Sequence, residues 1–110
     1  MGKLIYGATV YPLDDRVLAH LQVIVGMKLR RRENFFVSWR TTQEHGGGRQ
    51  SGWFDNGMHM AFQYDGGRIP AVNREWVEIM AASAGTSFGL QITDENGELL
   101  NTPHGRDAEE

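Results

Sequence analysis

Four histidines, fourteen carboxylates, two lysines and no cysteine are the stock from which this 110-residue chain could draw acid–base, nucleophilic or metal chemistry. The missing cysteine removes disulfides, thiolate zinc sites, iron–sulfur clusters and thiol nucleophiles together. His20, His45, His59 and His104 contain no pair at helical i, i+4 spacing and no His-Glu-x-x-His, so no metal is expected. His20 falls beside the apolar stripe of a helix and reads as a structural histidine. His59 with Asp55, across a turn, is the one pair worth probing for a small enzyme. Asp14-Asp15 sits where a helix begins, and the positive end of the helix dipole is reason enough for both carboxylates. Ser38, Ser51, Ser83 and Ser87 occupy no nucleophile-elbow context. Gly46-Gly47-Gly48 lacks the Lys-Ser/Thr of a phosphate loop. The expectation is a non-enzymatic chain without catalytic residues, metal or cofactor.

What remains is binding. Nine of the eleven basic residues are arginine, and Arg30-Arg31-Arg32 is their densest run. One reading is a helix end whose cations suit the carbonyl pole of the dipole. The other is phosphate contact by Arg30, Arg31, Arg32, Arg40 and Arg74, helped by Arg49, Arg68 and aromatic neighbours. Trp39, Trp53 and Trp76 are all assigned to the core. Net charge is −3, but six of the fourteen acids fall after Thr93; the first 93 residues hold ten basic and eight acidic side chains, a balance of +2. Such a body permits nucleic-acid contact without requiring it. An alternative surface is the small-residue helix face of Ala19, Val23, Gly26 and Met27, suited to a protein partner or to homo-oligomerisation. No apolar run approaches the ~18 residues of a membrane span, and no secretory leader is evident, so a cytoplasmic address is expected.

These residues must be carried by few elements. Lys3 to Tyr11 alternates as a first strand, and Pro12 is expected to end it. Asp14 to about Arg31 has a cap, a Leu13/Leu18 staple and apolar residues at helical spacing. Asn34 to Thr42 is a strand with Phe35, Val37 and Trp39 on one face and Phe36 on the other. Asn56-Gly57 predicts a hairpin between 50–55 and 58–64. Asn73 caps a second helix reaching Ala84, with Gly85 as terminator, and 88–93 is a further strand that Asn96-Gly97 turns back. The sum is an α+β domain of order β-α-β-β-β-α-β, a mostly antiparallel sheet with two helices packed on it. It spans residues 1–102, followed by a flexible acidic tail over 103–110.

Three blocks carry a likeness: Met1 to Gly7 with Asp14 to Leu21; Lys28 to Arg31 with Glu33 and Phe35-Phe36; and Asn73 to Glu78. Over about residues 1–92 the chain resembles a family of roughly 100-residue actinobacterial proteins of unknown function, which often bear the label "ATP-dependent DNA ligase". The resemblance implies no ligase chemistry here. Adenylate transfer requires a lysine in Lys-x-Asp-Gly, and neither Lys3 nor Lys28 stands in that context. It implies at most association with a DNA-processing protein. The chain departs from the family pattern in its Glu44 to Gly48 loop, at Asp55-Asn56-Gly57 and in its acidic tail. The functional expectation is a small binding module for nucleic acid or a nucleic-acid-processing partner, or, as the alternative, a regulatory protein-interaction module acting through the first helix.

Overall fold

The computed structural model describes residues 2–41, 48–102 and 106–107. His45, His104, most of the glycine-rich connection and most of the 103–110 segment lie outside them. The chain opens with a hairpin rather than one strand. β1 (Gly2–Tyr6) and β2 (Thr9–Leu13) pair antiparallel from Gly2↔Leu13 to Tyr6↔Thr9. The two-residue loop between them places Gly7 at φ 60°, a conformation that glycine adopts without penalty. Pro12 stays inside β2, where the far side is paired only at Thr9 and Val10, so its missing N–H costs no ladder bond there.

Helix α1 (Asp15–Arg30) buries Val17, Leu18, Leu21, Ile24 and Val25 along one stripe. It ends by the arginine run: Arg32 N–H reaches Leu29 O at 3.0 Å and Glu33 N–H reaches Lys28 O at 3.0 Å. That crossed pair is a Schellman cap, with Arg32 at φ 59° in the position usually given to glycine. β3 (Phe35–Thr41) then pairs antiparallel with β4 (Arg49–Phe54).

The turn at Asn56-Gly57 forms, with Gly57 N–H donating to the Asp55 carboxylate at 2.8 Å, but it does not make a hairpin. β5 (Met60–Gln63) pairs with β1, while β4 stays with β3, so the turn passes the chain between sheets. The Asn56 amide instead adds a second donor to Leu29 O of α1, at 2.7 Å, beside the Arg32 N–H.

Helix α2 (Arg74–Ser83) starts as its sequence indicates, the Asn73 side chain accepting from Glu75 N–H and Trp76 N–H. β6 (Leu90–Gln91) and β7 (Asn101–Thr102) join β3 in parallel, and β8 (Arg106–Asp107) pairs with β2. The result is an α+β fold of two sheets, β5-β1-β2-β8 and β4-β3-β6, with β7 also on β3. One core joins Leu4 and Leu13 of the first sheet, the α1 stripe, Val37, Trp39 and Phe54 of the second, and Trp76 and Met80 of α2. Burying such side chains stabilises by about 1.5–3 kcal/mol each. No helix among the described residues is long and apolar enough to cross a membrane.

Candidate nucleic-acid interface and a neighbouring groove

The polar groups with the best defined geometry serve the fold. His20 is fully buried, its Nδ1 2.6 Å from Arg16 O and its Nε2 accepting from Asn73 N–H at 2.7 Å. These partners place the ring proton on Nδ1 and leave neither nitrogen for chemistry. The imidazole stacks on Trp76 at 4.2 Å, and the Trp76 indole N–H donates to Thr93 O at 3.0 Å. Arg16 pairs with both carboxylate oxygens of Glu95 and lies 5.6 Å from the Trp76 ring centre. The Arg16 guanidinium, and then the Asn73 amide, hold the Glu95 carboxyl below the usual range. Together they clamp α1, the start of α2 and the 93–97 turn.

Asp14 makes no side-chain cap bond, contrary to expectation; its carbonyl accepts from Leu18 N–H at 2.9 Å. Asp15 acts at longer range, accepting from Asp65 N–H at 3.0 Å and Gly66 N–H at 2.9 Å. Those amides, Asp65 first, lower its pKa. No hydrogen bond or ion pair joins His59 to Asp55 among the described residues, nor do three or more of their His, Asp and Glu side chains converge as for a metal.

The second sheet is unlike the rest of the surface. Phe35, Val37, Trp39 and Phe54 turn inward and are buried. The other side of the paired strands carries Phe36, Ser38 and Arg40 on β3, opposite Trp53, Ser51 and Arg49 on β4, with Ser38 buried in its middle. Phe36 is 44% and Trp53 47% exposed, their rings 4.9 Å apart and edge to face. Phe88, 69% exposed, adjoins them: its carbonyl accepts from the Ser38 hydroxyl at 2.8 Å, and Ser38 and Ser51 share a hydrogen bond of 2.7 Å. Phe36 and Trp53 therefore occupy one end of this side, Arg40 and Arg49 the other, and none of its six strand positions is acidic. Trp53 thus leaves the core to which it was assigned, whereas Trp39 and Trp76 stay in it. Burial depends on which side of the sheet the helices cover, and no local pattern states that.

The arginines separate accordingly. Arg40 stands on this face. Arg31 and Arg32 lie in the turn leading to its Phe36 end, Arg32 fixed by the cap. Arg74 opens α2 and belongs to another part of the fold. Arg30 lines a groove of about 500 Å³ with Ala19 and Val23 of α1 and the segment from Tyr64 to Val72. Gly26 lies beside Arg30, where an added Cβ would meet the guanidinium at 3.4 Å, and Met27 is exposed nearby on α1. Of the face of Ala19, Val23, Gly26 and Met27, the first two line this groove, which the 64–72 segment closes on its other side. In sequence that segment shows only the Asp65-Gly66-Gly67 turn that closes the preceding strand.

Two sheets sharing one core with two helices define a small α+β domain. The chain belongs to the family Domain of unknown function (DUF7882), whose model matches residues 1–95. Neither a curated protein nor a solved structure matches it.

Proposed function

We propose that this chain is a non-enzymatic module that binds single-stranded nucleic acid on the outer face of β3 and β4. The observation that carries the reading is the Phe36–Trp53 pair, half-exposed at one end of the paired strands β3 and β4. Every base has a π-face, and stacking on an aromatic side chain is worth about 1–3 kcal/mol per base. A duplex keeps its bases stacked on one another, so such a platform selects unpaired ones. From Phe36 to Arg40 the strand rises about 13 Å, which sets guanidiniums beyond the rings where a backbone leaving the stack would run. The absence of carboxylates at the outward strand positions keeps the local potential favourable to phosphate although the whole chain is at −3.

The buried Trp39 and Trp76 make the intrinsic fluorescence a selective reporter, because quenching by an added oligonucleotide falls on exposed Trp53. Titration with short oligothymidylate and oligouridylate at low salt should give saturable quenching. Fluorescence polarisation of a labelled oligonucleotide should show the same affinity, weakened at least tenfold in Phe36→Ala and Trp53→Ala. No binding by the wild-type chain at low salt would remove this reading.

A further inference from the structure

The groove between α1 and the 64–72 segment has features that the sheet face does not need. Two guanidiniums line it, Arg30 from the last turn of α1 and Arg68 from the segment, and neither has an ion-pair partner among the described residues. An arginine ordinarily finds an anion when one is near, so two unpaired ones on a single concavity mark a position for negative charge. The walls between them are apolar: Val23 and Val72 are half-exposed, and Ile69 is 92% exposed at the rim. The Asp15 carboxylate, beside Gly66 of the lining, is engaged by the amides of Asp65 and Gly66. The same bonds hold the segment in place, as does the Tyr64 hydroxyl donating to the Gln22 side chain at 2.6 Å. The concavity is therefore formed before anything enters it, and its volume of about 500 Å³ is that of a small-molecule site.

We infer that this groove binds an amphipathic organic anion, an aliphatic or aromatic body bearing one carboxylate. The carboxylate bridges Arg30 and Arg68, and the body lies against Val23, Val72 and Ile69. Charge complementarity decides the class. A neutral apolar occupant leaves both cations without a partner, and a polyanion leaves the apolar walls unused. The site is independent of the sheet face, so either can fail without the other.

The test is a ¹H–¹⁵N NMR titration of the full chain with sodium decanoate, and in parallel with decanol and butyrate. Decanoate should shift the amides of Gln22, Val23, Gly66 and Gly67 saturably, at least tenfold more tightly than decanol or butyrate. The double variant Arg30→Ala/Arg68→Ala should lose that advantage over decanol, with the spectrum otherwise native. Val23→Trp, which fills the groove from the exposed side of α1, should abolish all three shifts. Equal affinity for decanoate and decanol, an undiminished preference in the double variant, or saturable shifts confined to the Phe36–Trp53 face would each overturn the inference.

Discussion

Phe36 and Trp53 oppose each other across β3 and β4, edge to face, with both rings turned to solvent and the backbone behind both held from elsewhere. The Tyr6 hydroxyl donates to the Trp53 carbonyl, and the Gly89 backbone abuts that of Phe36. A pair this exposed adds little to folding; an aromatic pair contributes about 0.5–1.5 kcal/mol beyond its burial. Trp53→Ala should therefore lower the melting temperature by only several degrees, followed by circular dichroism, while weakening oligonucleotide binding by at least tenfold. Unfolding of the variant at room temperature would assign the ring to the fold instead.

Gly89 is the point at which the platform depends on a missing side chain. At φ +76°, a Cβ there would stand 2.2 Å from Phe36 O. Left-handed strain of about 1–2 kcal/mol and steric overlap of about 1–3 kcal/mol would act together in Gly89→Ala. Urea denaturation should show a loss of about 2–5 kcal/mol, against the few tenths expected for an exposed, unstrained glycine.

The end of α1 invites the reverse change. Arg32 holds φ 59° in a Schellman cap, a place where glycine carries no Cβ penalty. Arg32→Gly should stabilise the protein by about 0.5–1 kcal/mol, read as a higher urea midpoint at unchanged slope. A lower midpoint would mean that the guanidinium makes contacts outweighing the strain.

Two carboxylates set an acid limit. Asp15, held by the Asp65 and Gly66 amides, and Glu95, held by Arg16 and Asn73, both have folded pKa values below their ordinary ones. A depressed carboxylate contributes stability that is present above its unfolded pKa and is lost as pH falls through its folded pKa. The melting temperature should drop on acidification from about pH 5 to about pH 3, and less steeply in Asp15→Asn and Glu95→Gln. Equal slopes in wild type and variants would show that other groups govern acid unfolding.

What could be read from sequence was local. The Asn73 cap, the apolar spacing of α1 and the two-faced alternation of 35–39 each specify their own element, and α1 and α2 lie within a residue of the expected ends. The first hairpin escaped notice because Leu4, Tyr6, Ala8 and Val10 alternate straight through the loop, although the register puts Tyr11 and Leu13, not Val10, on the face of Leu4. Asn56-Gly57 specified a turn but not the partner of the strand after it, since β5 pairs with β1 more than fifty residues earlier. Partner choice is decided by burial of the whole sheet. The same limit hid the candidate sites: Trp53 and Trp39 look alike in sequence, and only the packing of the helices on one side leaves the first exposed. The arginine run contributes a helix cap at Arg32 and a groove wall at Arg30, and its three members face different surroundings.

The central claim, that phosphate and base are gripped by the two ends of one sheet face, is tested most directly by the salt dependence of oligonucleotide affinity. Each phosphate neutralised on a single strand contributes about −0.7 to the slope of log affinity against log salt. The wild-type chain should show a negative slope, and Arg40→Ala/Arg49→Ala should make it shallower by about 1.4 while Trp53→Ala lowers affinity without changing it. A slope that is the same in wild type and the double arginine variant would contradict the account.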